Sequence, residues 1–452
     1  MPTDADPAAA PAAAPDLFLG LDLGTSGARA AAIDARGRVI AETRAAMADH
    51  GARRADSAAW KGAAQAALRA VAAQVDPARI RGVSVDGTSG AVLALDAAGD
   101  PLGDGRMYDE RAADAAAVAR IAALAPATSA AHGATSPLAR AIDLAARHAP
   151  AMIAHQADWI ASLLTGRVVS DESNALKTGY DPVAGAWPDW IDAAGLPRAL
   201  LPEAIPSGAV SGAVSAAGAA WSGLLEGTPV VAGATDGCAS FLATGAAAPG
   251  DGVTALGTTL VLKILSDRPI FAPEYGIYSH RVLGMWLAGG ASNSGGGALL
   301  AHFDAEALAA LSAAIDPETD SGLDYHPLAR PGERFPINDP ALAPRLDPRP
   351  QGGAAFLHGL LDGIAGIEAL GYRRLAELGA PPLRAVRTVG GGARNAAWTR
   401  IRERRLGVPM EPARAVEAAV GAARRARAGV TGKAAGEAVG GAAGGAGRGG
   451  RA

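Results

Sequence analysis

Asp22-Leu23-Gly24-Thr25-Ser26-Gly27 closes an apolar run that begins at Leu17, and its residue types suit an anion held beside a metal ion. Glycines let the backbone turn tightly and approach a ligand, while exposed N–H groups and the Thr25 and Ser26 hydroxyls can donate to phosphate oxygens. Asp22, at the strand end, could hold a hydrated Mg²⁺ next to those oxygens. The same residues also make an ordinary hairpin turn. A second copy of the pattern, Gly257-Thr258-Thr259 within GDGVTALGTTLVLKILSD, favours phosphate, because a phosphate clamp takes loops from both sides.

Asp236, in GATDGCASF, follows the apolar run Pro229 to Gly233 and precedes an apolar helix. A carboxylate at the carboxyl end of a strand sits where open α/β sheets bind ligands, and could take the proton from an attacking hydroxyl. A helix N-cap is the other reading of the same residue. Gly390-Gly391-Gly392-Ala393-Arg394-Asn395 gives a flat backbone approach suited to a nucleotide's ribose or purine, or else a plain loop with an N-cap at Asn395. Trp398 then lines that pocket or fills the core. Ser84 to Gly90, with Thr88 and Ser89 at its end, suits the hydroxyls of a polyol or is simply a turn. His155 reads as a core or capping histidine, since no second histidine or acidic pair stands at metal-ligand spacing.

Several chemistries are excluded. Gly432-Lys433 is followed by Ala434 and does not make a P-loop, no H-E-x-x-H occurs, and glycines at 20, 24 and 27 do not make a dinucleotide fingerprint. A net charge of −4 leaves no footprint for nucleic acid and no polybasic membrane patch. The lone Cys238 rules out an intrachain disulfide or a cysteine zinc cluster and fits a reducing compartment. Residues 204–225 and 284–301 carry no charge, but Gly, Ser and Pro206 break them, so neither reads as a membrane span.

Positioning these groups takes a scaffold of 452 residues, long enough for two or three domains, with 49% hydrophobic and 19% charged residues. Residues 17–33 and 252–266 show the same strand, Gly/Thr turn and return strand, about 235 residues apart. That spacing predicts two related α/β domains facing one another instead of a short-period array. Helices are expected over 57–75 and 352–379, a strand–turn–strand unit over 80–102, and a strand entering the glycine turn at 390. Residues 1–16, acidic and Pro-rich, read as a flexible leader. From Gly421 the chain is Arg/Ala/Gly low complexity, and much of 430–452 is expected to be disordered.

In order, LGLDLGTSGARAAAID, SVDGTSGAVLALD, GDGRMYDERA, HQADWIASLLTG, GATDGCASFLATGA, TALGTTLVLK and TVGGGARNAAW resemble the FGGY carbohydrate kinases, from residue 17 to about 420. The resemblance implies an α/β protein of two actin/hexokinase-like (ribonuclease H-like) domains flanking a cleft. It places a sugar-binding domain at 17–245, a nucleotide-binding domain at 246–429 and a low-complexity tail at 430–452. SNALKTGYD, YGIYSHRVLGMWLAGGASNSGGGAL and PGERFPINDPALAPRL resemble the plant and cyanobacterial D-ribulose kinase branch. Xylulokinases usually carry Met-His-Gly where this chain has Asp86 to Gly90.

By that resemblance ATP and Mg²⁺ are the cofactors and a small sugar the other partner; ATP use, the lone Cys238 and the lack of an export signal point to the cytoplasm, with no nucleic acid or membrane as partner. Asp22 would position Mg²⁺ through a coordinated water; Thr25 and Ser26 would contact the transferring phosphate; and Asp236 would be the general base that also touches the sugar. Gly257, Thr258 and Thr259 would hold nucleotide phosphates, and Gly391, Gly392, Asn395 and Trp398 the adenosine. Thr88 and Ser89 would face the sugar. D-ribulose phosphorylated at its 5-hydroxyl is the expected reaction. D-xylulose, another polyol, or an actin- or chaperone-like ATP switch without sugar turnover are the rivals. Two departures from the family pattern stand out. Arg140 and Ile142 replace a usual lysine and aromatic, and the sequence after Gly421 offers no apolar face for the family's final helix.

Overall fold

The computed structural model describes residues 15–432, so the expected leader and tail lie almost wholly outside the described residues. Strands β1 (Leu17–Leu23), β2 (Gly27–Asp34) and β3 (Val39–Ala46) form an antiparallel meander. Every residue of β1 is buried, which is why it reads as apolar from Leu17 to Leu21, ahead of Asp22, and not as an alternation. Helix α1 (Ser57–Ala72) starts where the Asp56 side chain accepts from the Ala58 and Ala59 amides, and it buries Trp60, Ala64, Leu68 and Val71. Strand β4 (Ile80–Gly87) then returns parallel to β1.

A helical region follows, including α2 (Pro137–His148) and α3 (Gln156–Thr165). The return strand expected after Gly90 exists at Val92–Leu95, but it pairs with Met152–His155 in a separate ribbon. Strands β5 (Val210–Ala213) and β6 (Pro229–Val231) complete a six-stranded sheet ordered β3-β2-β1-β4-β6-β5, with β6 parallel to β4. Helix α4 (Asp236–Ala243) leads out of it.

The second sheet repeats the plan. Strands β7 (Asp251–Leu256), β8 (Leu260–Ser266), β9 (His280–Val282) and β10 (Met285–Ser292) are antiparallel neighbours. Beyond helix α5 (Gly353–Glu377), strand β11 (Ala385–Val389) lies parallel to β7. Helix α6 (Ala396–Leu406) and strand β12 (Met410–Glu411) follow, giving the order β9-β10-β8-β7-β11-β12. The duplication legible at 17–33 and 252–266 is therefore a duplicated fold, two ribonuclease H-like α/β halves. By length and composition α5 is apolar enough to cross a membrane, but 61% of its most apolar window is buried, with Leu357, Leu360 and Ile364 in the second core.

The carboxy-terminal expectation is corrected. Ala418–Thr431 is a helix, α7, that lies against β1, β2, β4 and α4 of the first half. It buries itself through small residues instead of a Leu/Ile face. A Cβ on Gly20 of β1 would stand 2.0 Å from the Ala419 carbonyl oxygen, and one on Gly421 would stand 1.9 Å from that of Ala239 in α4. Backbones meet there at a distance that only glycine permits. The arginines among these small residues are buried too: Arg425 ion-pairs with Asp86, and Arg427 donates to the Ala35 carbonyl at 2.8 Å.

Candidate active site

Three carboxylates stand at the ends of three adjacent parallel strands. Asp22 ends β1, Asp86 is its register partner on β4, and Asp236 begins α4 just after β6. The loop between β6 and α4 lies flush on β4, since a Cβ on Gly233 would stand 2.0 Å from the Val85 carbonyl oxygen. Gly87 and Thr235 form a parallel bridge, and the Ala234 amide donates to Asp86 Oδ1 at 2.8 Å. Thr235 occupies the N-cap position without a side-chain cap bond, so Asp236 is the first helical residue and not the cap. Its Oδ1 accepts from the Gly237 amide at 2.8 Å.

A cavity of about 460 Å³ opens over these ends, lined by Asp22, Thr25, Ser26, Thr88, Ser89 and Asp236. Every residue expected from the first half to touch sugar, metal or transferring phosphate is on its wall. The Thr88 hydroxyl donates to the Leu23 carbonyl at 3.0 Å and its amide donates to Gln156 Oε1 at 2.9 Å, so Thr88 ties the two turns together while lining the cavity. Ser89 Oγ is buried with no hydrogen-bond partner. Arg140, fully buried, holds the Ser89 turn: its guanidinium donates to the carbonyls of Gly90 at 2.7 Å and Thr135 at 3.1 Å, and also to Met107. Asp86, in the stretch read as suited to a polyol, turns inward to Arg425 and is absent from the cavity wall.

Asp22 is the electrostatic centre of this cavity. Burial, then the nearby Asp86 and Asp236 carboxylates, push its carboxyl up to about 8. Its Oδ1 is buried and unpartnered. A buried carboxylate oxygen without a donor, facing a second carboxylate, is the donor chemistry of a divalent cation, so Asp22 with Asp236 fits Mg²⁺. No cluster of three or more His, Cys, Asp or Glu poised for a metal occurs among the described residues.

The second half carries a larger cavity, about 710 Å³, whose wall includes Gly257, Thr258, Gly391, Gly392, Asn395 and Trp398. The Gly257–Thr259 turn is packed from behind by Gly295, Gly296 and Gly297, where a Cβ would come within 2.8, 2.7 and 3.0 Å of its backbone or of Thr258. Thr259 itself is not on the cavity wall. Asn395 is the N-cap its sequence allowed, and it also stands on the wall of this cavity. Its Oδ1 caps α6 by accepting from the Trp398 amide at 3.0 Å, and its Nδ2 donates to Ser312 Oγ at 2.8 Å across the cavity mouth. Trp398 is 2% exposed and belongs mainly to the second core.

Some wall residues escaped the sequence reading. Tyr108, Lys177, Ser240, Arg29 and Glu417 all line the first cavity. Lys177 lies inside SNALKTGYD, but no local pattern says that its loop folds over this sheet end. Lys263, from β8, crosses between the halves and donates to the Gly237 carbonyl at 2.6 Å. His155 behaves as expected, capping α3 with Nδ1 at 2.6 Å from Asp158 Oδ2 and Nε2 at 2.9 Å from Thr178 Oγ1.

Two ribonuclease H-like halves, one with a carboxylate-floored polar cavity and the other with a glycine-walled apolar one, make the architecture of a sugar kinase. The family profiles described as "FGGY family of carbohydrate kinases, N-terminal domain" and "C-terminal domain" match residues 17–123 with 142–243, and 252–429. The chain belongs to the FGGY family of carbohydrate kinases. It is similar to the xylulose kinase of Rhodospirillum rubrum, 28% identical with a TM-score of 0.77, over 91% of this chain and 90% of that one. A xylulose-kinase structure from Brucella ovis is similar in fold, at 23% identity and a TM-score of 0.79, over 94% and 92% of the two chains. The autoinducer-2 kinase of Yersinia enterocolitica is 29% identical over 277 residues, 56% of this chain and 52% of that relative. The chain thus spans about half the length of the curated relatives it matches.

Proposed function

We propose that this kinase uses Mg-ATP to phosphorylate the 5-hydroxyl of a ketopentose, with D-ribulose the favoured sugar, in the cytoplasm. The observation that carries the reading is the pairing, in one cavity, of Asp236 with the buried, unpartnered Asp22 Oδ1 and Ser89 Oγ. Asp236 accepts the proton of the attacking hydroxyl. Its Oδ1 is fixed by the Gly237 amide, while Oδ2 has no protein partner among the described residues, so a substrate O–H can find it. Ser89 and Thr88 orient the sugar, and the Thr25 and Ser26 turn meets the transferring phosphate.

Asp22, with Asp236 opposite, would hold Mg²⁺, which when bound neutralises charge on the phosphate oxygens. Gly257, Thr258 and Thr259 support the nucleotide phosphates through backbone groups. Gly391, Gly392, Asn395 and the edge of Trp398 receive the adenosine. Phosphoryl transfer asks the protein for positioning and charge neutralisation more than for covalent chemistry, and these parts supply both. The choice of D-ribulose rests on Asp86 to Gly90 in place of Met-His-Gly and on the stretch Ser173 to Asp181.

The test is ADP release with Mg-ATP and D-ribulose, D-xylulose, glycerol or no sugar, for wild type and Asp236→Ala. Fast release with D-ribulose alone, lost in the variant, is expected. A preference for D-xylulose would keep the mechanism and overturn the sugar. Equal slow release in all four would replace the kinase reading with an ATP switch.

A further inference from the structure

Buried in the interior, 339 residues apart in sequence, Asp86 and Arg425 form an ion pair with both side chains fully shielded from solvent. Arg425 Nε also donates to Ser84 Oγ at 3.1 Å, which fixes the guanidinium against β4. Asp86 Oδ1 is shared: the oxygen that meets Arg425 also accepts from the Ala234 amide at 2.8 Å. Ala234 stands two residues before Asp236, in the loop whose Gly233 and Thr235 are already seated on β4.

The pair is poorly satisfied for a structural device. Asp86 Oδ2 and Arg425 Nη1 are buried without partners. Buried ion pairs of this kind are often no more stabilising than apolar replacements of similar volume, because desolvation offsets the attraction. Stability alone therefore gives a weak reason for placing it there. Its location gives a better one: it sits directly beneath the loop that aims Asp236.

We propose that Arg425 is a positioning residue for phosphoryl transfer: by locking the Asp86 carboxylate it fixes the Ala234 amide and so the direction of Asp236. This inference rests on Asp236 being the base of the kinase reading. Arg425 touches neither cavity wall, so it acts only through Asp86 and the loop.

Three variants test it in the full chain: Arg425→Met, Arg425→Lys, and the double variant Asp86→Asn/Arg425→Met, in which no buried charge is left alone. Thermal unfolding and steady-state kinetics with Mg-ATP and the sugar that wild type prefers are measured for each. Arg425→Met should lower kcat by about 30-fold or more while both KM values stay within about threefold, as expected when a reacting group is misaimed and binding is spared. Arg425→Lys should recover part of kcat. The double variant should regain the thermal stability that Arg425→Met loses, yet keep the low kcat. Recovery of kcat together with stability, or a loss that falls on KM alone, would overturn the proposal. Should Arg425→Met fail to fold, the double variant against Arg425→Lys decides the question. Wild type without sugar-dependent ADP release would instead sink the kinase reading itself, a separate outcome.

Discussion

Asp22 and Asp86 are register partners on adjacent parallel strands, yet Asp86 has an arginine beside it and Asp22 Oδ1 has no partner at all. Burial raises both, Asp22 to about 8 and Asp86 to about 7, the latter against the pull of Arg425 and the Ala234 amide. A carboxyl whose folded value lies above its unfolded one contributes stability that is fully present below about pH 4 and is lost as pH rises through the folded value.

Metal-free protein should therefore lose stability between about pH 4 and pH 8, with Asp22 responsible for the upper part of that loss. Asp22→Asn should flatten the decline near pH 8 and raise stability there by about 1–3 kcal/mol, while removing activity. Mg²⁺ needs the ionised carboxylate, so its affinity should climb with pH up to about 8. Thermal melts with EDTA and with Mg²⁺ check both signs. An Asn variant that melts with the wild-type pH profile would contradict the assignment.

Asp236→Asn keeps the shape of the side chain and removes the base. A fall in kcat of about 100-fold or more is expected, with the sugar KM little changed. A coupled ADP assay measures it, and an effect confined to KM would make Asp236 a binding group only.

Ser89 and Arg140 should separate sugar recognition from support. Ser89→Ala deletes a buried hydroxyl that has no protein partner, so stability should hold or rise slightly while the sugar KM rises about tenfold. Arg140→Met strips the donor from the carbonyls of Gly90 and Thr135. It should cost roughly 2 kcal/mol or more and raise the sugar KM through movement of the Ser89 turn. Unfolding and sugar titrations on the two variants distinguish these patterns.

On the nucleotide side, a Cβ on Gly392 would stand 2.7 Å from the Trp398 ring and 2.8 Å from Leu256 Cβ. Gly392→Ala should raise the ATP KM several-fold and leave the sugar KM alone. Parallel shifts in both would show that the second cavity is not a separate nucleotide site.

What the sequence revealed, and what it hid, follows from the range of the interactions. The Asp22 turn, the Gly257 turn and the strand into Gly390 are local patterns in which glycine and hydroxyl residues interrupt buried strands, so both halves and most of the wall were legible. Asp236 was legible as a carboxylate after a strand, but its first-turn position, with Thr235 at the cap, came only from the coordinates. Lys177 and Tyr108 reach the cavity from loops that no periodicity ties to the sheet. Helix α7 is hidden in the sequence because apolar content is a poor measure of burial where backbones meet through glycine and alanine. Its Gly and Ala residues bury backbone against the Gly20 strand, and Arg425 meets the buried Asp86 carboxylate while Arg427 donates to the Ala35 carbonyl.

That same helix imposes an order on biosynthesis. Ser84 and its partner Arg425 are separated by 341 residues, so a ribosome emits the first sheet long before the helix that covers it. At ordinary elongation rates, about 5–20 residues per second, the nascent half waits tens of seconds with its Gly20 stripe bare. A prematurely terminated chain would leave that stripe uncovered permanently, in a form that chaperones and proteases can tell apart from a finished enzyme.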